Sequence, residues 1–251
     1  MILLGGRSRI IAVFTYEPVF PFEHHSFYYP FLLGMERETE HQRHDLLFMT
    51  SYTNHEGRRS LYQNGVNRLH LADAAILLGL RKSSQEISRL LSENFPVVTI
   101  GHREFPGHKA SHVAADYASA TAEIVHRIAA QEHTRIGMLR VLDDSEPGTD
   151  REAGFREGCR GTGMADCEDS IFRVAPERIS RAFVNSIINA GFIAVVCERC
   201  ALAQAVQVPS EDMGAEAVRL VLSLLDSPEQ APLRTTLKCP VVEGYTVRKM
   251  G

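Results

Sequence analysis

The chain has 251 residues, 44% hydrophobic and 23% charged, with a formal net charge of −4. That is enough for one large α/β domain or two small lobes, and no run approaches the ~18 to 20 apolar residues of a membrane helix. The slightly acidic balance excludes nucleic-acid binding by an overall basic field.

Met1 to Ile11 shows neither the apolar core nor the cleavage site of a signal peptide, so a cytoplasmic location is expected. Five cysteines, at 159, 167, 197, 200 and 239, are an odd count for a disulfide framework and fit reduced thiols.

Ile10 to Phe14 is a continuous apolar, β-branched run, the signature of a strand buried on both faces of a parallel sheet. The aromatic, Pro-rich connection from Tyr16 to Ser26 is longer than a plain turn requires, which marks it as a functional loop. Tyr28, Phe31, Leu32, Met35 and Thr39 then share one helical face. Asp45 to Ser51 reads as the second strand, Gly57 to Leu69 as the second helix and Ala74 to Leu78 as the third strand. Ser83-x-x-Glu86 is a capping box ahead of Ile87, Leu90 and Leu91, and Pro96 to Ile100 is the fourth strand.

Pro96 to Asp116, with its Pro/Gly/His-rich turn, reads as a crossing between lobes, because the same rhythm restarts after it. Asp116 caps a helix bearing Tyr117, Ile124, Val125 and Ile128, and Arg135 to Val141 is a strand. Thr149-x-x-Glu152 reads as a second capping box, opening a helix through Phe155 and Cys159 that stops at Gly161 and Gly163. Ser170 to Val174 is a strand, Ile179, Phe183 and Ile187 share a helix face, and Phe192 to Cys197 is another strand. Met213, Ala217, Leu220, Val221 and Leu224 form a last helical stripe, and Leu237 to Val247 is extended. Alternating strands and helices with short links imply parallel sheets wound by right-handed crossovers.

Few motifs carry chemistry of their own. Cys197-x-x-Cys200 lacks a second ligand pair, and His41-x-x-His44 and His108-x-x-x-His112 lack a third ligand, so no metal or cofactor is expected. No nucleotide-binding, hydrolase or metalloprotease signature occurs, and no nucleophile, base and orienter come together; catalytic residues are not expected.

The order of several short patterns resembles the effector-binding core of the lactose- and galactose-repressor family of bacterial transcription regulators. They are Ser26-Phe-Tyr-x5-Gly34, Pro96-Val-Val-x-Ile-Gly-His-Arg103, Val113-x-x-Asp116, His133-x-Arg-Ile136, Arg151-x-x-Gly-Phe155, Ala201-x-Ala203 and Pro209-x5-Gly214-x-x-Ala217, spread over nearly the whole chain. The resemblance implies a two-lobed, type I periplasmic-binding-protein-like α/β fold, each lobe a parallel sheet flanked by helices. Residues 9–101 with 209–230 would make the N-terminal lobe, 107–206 with 236–248 the C-terminal lobe, and the hinge would lie near 101–107.

This sequence departs from the family in specific places. Only about nine residues precede the first strand, too few for the family's DNA-binding headpiece, so operator DNA is expected as a partner only through a headpiece absent from this chain. Cys197-Glu198 stands where the family shows Asn-Asp, moving the carboxylate one methylene outward. Between Val206 and Val208-Pro209 there is no room for the further strand that the family carries.

A sugar effector in the interlobe cleft needs flat aromatic faces and charged hydrogen-bonding groups, since hydroxyls stripped of water must be re-paired. The candidates are Tyr16 and Glu17 at the end of the first strand, Phe27 and Tyr28 at the start of its helix, and Arg103, Arg151 and Glu198. Each has a plainer alternative: core packing for Phe27 and Tyr28, a solvated hinge for Arg103, and loop pairing with Asp144, Glu146 or Asp150 for Arg151. Arg151 ranks first, because a helix start after a parallel strand faces the crevice. The expected function is sensing of a small metabolite, with a homodimer formed through the helices at 57–69 and 84–91; a transporter's solute-binding protein and an α/β enzyme are the alternatives.

Overall fold

Continuous β-branched, apolar sequence puts β1 (Ile10–Phe14) inside a sheet, with a strand on either side, and Ile11 to Phe14 are at most 1% exposed. The computed structural model describes residues 7–17, 27–50, 59–79, 83–105, 107–143, 145–164, 167–192, 194–197 and 205–242. The chain divides into two units, Met1–Ala114 with Ser210–Leu237 and Ala115–Pro209 with Lys238–Gly251. Both carry parallel strands flanked by helices.

In the first unit, β1 is followed by α1 (Tyr29–His41), β2 (Asp45–Met49), a hairpin of β3 (Tyr62–Gln63) and β4 (Val66–Asn67), then β5 (Ala74–Leu77), α2 (Ser84–Ser92), β6 (Val97–Ile100) and β7 (Ser111–Asp116). Later in the chain α6 (Ser210–Asp226) and β12 (Arg234–Lys238) return to this unit, β12 beginning within it. The six-stranded sheet runs β12-β7-β6-β5-β1-β2, which leaves β2 at an edge. β1 is parallel to β2 and β5, with Ala12 beside Leu47 and Ala75. The described residues of the 101–107 segment lie inside this unit, between the paired strands β6 and β7.

Two glycines set the contact between α1 and α6. A Cβ on Gly34 would lie 1.9 Å from the Glu211 carbonyl oxygen, and one on Gly214 would lie 2.1 Å from that of Phe31. Both glycines are needed for close helix approach, which explains why they stand in the family-like patterns.

The expected helix at 57–69 is not formed by its described part. Residues 62–67 are a tight hairpin, and Arg68–Leu71 is a single 3-10 turn capped by the Asn67 side chain. Asn64-Gly65 decides it: both have positive φ, 50° and 78°, as a two-residue turn matching strand twist requires. Asn-Gly between alternating residues is a strong local signal, and it overrides the weak helical spacing around it.

The second unit contains α3 (Tyr117–Ala129), β8 (Ile136–Val141), α4 (Glu146–Gly161), β9 (Ile171–Val174), α5 (Arg181–Asn189), β10 (Ala194–Cys197), β11 (Ala205–Val206) and β13 (Val241–Val242). β10 and β9 flank β8 in a parallel three-stranded sheet, and β11 pairs antiparallel with β13. Gly154 lets α4 close on α3, since a Cβ there would meet the Ala118 carbonyl oxygen at 2.1 Å.

Asp116 caps α3 as expected, accepting from Ser119 N at 3.0 Å. Thr149 does not cap α4. The helix begins one turn earlier, with Ser145 as its N-cap residue and Pro147 in its first turn, and Thr149 Oγ1 donates to the Ser145 carbonyl.

Candidate functional site

The carboxyl end of β1 places Glu17 among polar partners in the first unit. Thr15, 1% exposed, donates through Oγ1 to the Glu17 carbonyl at 2.9 Å and accepts from Glu17 N at 3.2 Å, which fixes the turn. Arg59 Nη1 donates to the same carbonyl at 2.8 Å. The Tyr28 hydroxyl, at the N-cap of α1, donates to the Glu17 carboxylate.

Gly79, just beyond β5, has φ of +117°, and a Cβ there would sit 2.7 Å from Glu17 Oε1. Glycine at this position serves both the backbone and the carboxylate. Phe27 extends the cluster outward: it is 56% exposed and meets the Tyr28 ring edge-on at 5.3 Å. Glu17, Phe27 and Tyr28 are therefore brought together, and Arg59 and Gly79 join them. Arg59 carries no motif that would single it out, and Gly79 is marked only by following the apolar run of the third strand.

Tyr16 does not belong to this group. Its ring packs edge-on to Phe14 at 4.9 Å and against the core, and its hydroxyl donates to Glu86 at 2.9 Å. Burial and the neighbouring Glu86 carboxylate both push the Tyr16 pKa well above its ordinary value. Glu86 also accepts from Ser60 Oγ and from Leu61 N, while its own N–H donates to Ser83 Oγ at 3.4 Å. The capping box is thus half formed, because its carboxylate serves the core instead.

Arg103 follows β6 at its carboxyl end and is half-buried. In the second unit, Arg151 lies in the second turn of α4 with its guanidinium 4.1 Å from the centre of the Tyr117 ring. Burial raises the Tyr117 hydroxyl to about 12, with Arg151 pulling the other way. The ring holds the guanidinium by a cation–π contact. Sequence marks Tyr117 only as part of a helical stripe. Glu198 lies outside the described residues.

Beside Arg151, α4 carries a charge network. Glu152 pairs with Arg140 at 3.4 Å and with Arg156 and Arg173 at 2.7 Å, and Glu168 joins Arg156 and Arg173. Burial disfavours the Glu152 anion, yet the arginine hydrogen bonds outweigh it and hold the carboxyl below its ordinary pKa. Among the described residues, no group of three or more His, Cys, Asp or Glu could hold a metal ion, and no helix is long and apolar enough to cross a membrane.

No protein-family model matches the chain. No curated protein matches it either. Solved structures do. A regulatory protein of the LacI family from Chloroflexus aggregans aligns over 93% of this chain and 96% of its own, at 16% identity and a TM-score of 0.67. A LacI-family transcriptional regulator from Enterococcus faecium with bound ribose aligns over 96% and 100%, at 12% identity and a TM-score of 0.69. The transcriptional regulator CelR in complex with cellobiose covers 98% of this chain and 85% of its own, at 20% identity and a TM-score of 0.68. The chain has the fold of LacI-family regulatory cores, the periplasmic-binding-protein-like α/β arrangement.

Proposed function

We propose that this chain is the effector-binding core of a bacterial transcription regulator and that its effector is a sugar or a related small polyol. One observation carries the reading: Glu17, held at the carboxyl end of a parallel strand, already accepts a hydroxyl from Tyr28 beside the exposed ring of Phe27. A carboxylate that takes a phenol proton donor takes a sugar hydroxyl by the same geometry, and an aromatic face covers the sugar's C–H side. Strand carboxyl ends are where open α/β sheets bind ligands. The bound ribose and cellobiose in similar folds support the same class of effector. Arg103 and Arg151 are the further ligand contacts of this reading, and its activity is binding rather than catalysis.

The same reading includes a cytoplasmic location and operator DNA contacted only through a headpiece that these 251 residues do not supply. It also includes a homodimer. In place of the expected faces at 57–69, which forms no α-helix in its described part, and 84–91, this reading puts self-association on α1 with the edge strand β2. Phe48 is 37% and Tyr29 61% exposed there, beside a groove of about 650 Å³ lined by Leu33 and Leu46. Apart from Asp45 at its start, β2 is an apolar edge strand, which invites a second copy of itself in antiparallel, two-fold pairing.

A thermal-shift panel of pentoses, hexoses and disaccharides tests the reading. Binding of one sugar raises Tm with its concentration. An unchanged Tm across the whole panel contradicts it.

A further inference from the structure

α4 ends at Gly161, and the chain turns back at once. Met164 N donates to the Cys159 carbonyl at 3.1 Å, and Thr162 Oγ1 donates to the carbonyls of Gly158 and Cys159, both at 3.0 Å. Gly163, with φ of +72°, supplies the left-handed residue of the reversal. Arg156 then reaches Glu168, Nη2 to Oε2 at 2.7 Å, and Arg173 holds the other oxygen of Glu168 at 2.8 Å. These ion pairs fasten the returning segment one residue past Cys167 and about one helical turn before Cys159. The result is two cysteines brought to one apolar cluster: Cys159, 0% exposed, belongs to it, and Cys167 packs half-buried against it.

We propose that Cys159 and Cys167 are an oxidative modification site, closing an intramolecular disulfide when the protein meets a hydroperoxide. The proposal stands apart from the effector reading, since it uses no ligand-binding residue. Cys167 is the thiol that solvent reaches, so its thiolate attacks one peroxide oxygen. The O–O bond breaks, the departing oxygen takes up a proton, and Cys167 becomes a sulfenic acid. The Cys159 sulfur then attacks the Cys167 sulfur: the S–S bond forms, the S–O bond breaks, and hydroxide leaves with the Cys159 proton as water. Two thiols have lost two electrons and two protons, and the peroxide has been reduced to water and an alcohol, or to two waters.

The environments fit these roles. Burial, with the neighbouring Cys167 sulfur, raises the Cys159 pKa above its ordinary value, so Cys159 stays a protonated thiol until the sulfenic acid forms beside it. The disulfide ties the end of α4 to the segment leading into β9. It thereby staples the helix that carries Arg151 and closes on α3 through Gly154.

Trypsin separates the two sulfurs, since cleavage after Arg156, Arg160 and Arg173 leaves Cys159 in peptide 157–160 and Cys167 in peptide 161–173. The folded chain is treated with hydrogen peroxide, its remaining thiols are blocked with N-ethylmaleimide in denaturant, and the unreduced digest is analysed by mass spectrometry. The two peptides are expected joined, lighter than their sum by two hydrogen atoms, and parted by dithiothreitol. In Cys167→Ser the same treatment is expected to leave Cys159 open to alkylation. Recovery of both peptides singly alkylated, of Cys167 as sulfinic or sulfonic acid alone, or of either cysteine joined elsewhere overturns the proposal.

Discussion

Tyr16 and Glu17 are neighbours in sequence and opposites in role. The turn after β1, fixed by Thr15, sends Tyr16 into the core, where Glu86 takes its hydroxyl, and directs Glu17 toward Tyr28 and Gly79. Tyr16→Phe is therefore expected to lower unfolding free energy by about 1 to 2 kcal/mol, through a lost buried hydrogen bond, while sugar affinity stays unchanged. Arg151→Lys is expected to do the converse. It removes the stacked, forked donor and costs roughly 1.5 to 3 kcal/mol in sugar affinity with little change in Tm. Denaturant titration and calorimetry on the pair of variants separate the two roles, and equal effects on both quantities would refute the division. Sequence could pick out both residues as strand-end polar groups. It could not say which faced inward, because the Tyr16 partner Glu86 lies 70 positions away.

Elements whose signals are local were the most legible. The buried run of β1, the Asp116 cap and the apolar stripes of α1, α3 and α6 follow from adjacent residues, and the structure forms them where periodicity places them. The 57–69 helix fails because Asn64-Gly65 demands positive φ at two successive positions. The start of α4 was misplaced because Thr149 and Glu152 fit a capping pattern, although the Glu152 carboxylate is drawn into the arginine network. That network gives α4 a pH dependence. Because the folded-state pKa of Glu152 is depressed, its stabilisation is present above the ordinary glutamate value and lost as pH falls through the depressed one. Glu152→Gln is expected to cost roughly 1 to 3 kcal/mol at neutral pH. Its deficit against the unaltered chain should close as acid protonates the carboxylate. A deficit that stays constant from pH 7 to about 3 would show that the charge is not what matters.

At the scale of the whole molecule, the alternation of strands and helices fixes two parallel-stranded units, and the family-like glycines fall where helices must touch: Gly34 and Gly214 in one unit, Gly154 in the other. Those patterns record packing as much as binding, so resemblance led to the fold more surely than to the site. Arg59 and Tyr117 help build the candidate sites without any sequence mark of that role. The exposed edge of β2 belongs to this scale too. Phe48→Glu is expected to convert a dimer of the full chain to a monomer in sedimentation equilibrium, and an unaltered chain that is monomeric at micromolar concentration would remove the α1–β2 face from the account. The central claim is that Glu17 binds the hydroxyls of a sugar effector. Calorimetric titration of the sugar that raises Tm most, against the unaltered chain and Glu17→Gln, tests it most directly. The account predicts stoichiometric binding that weakens by about 1.5 to 3 kcal/mol in the variant, the scale of a charge-assisted hydrogen bond, while the variant stays folded. Equal affinity for both proteins would contradict it.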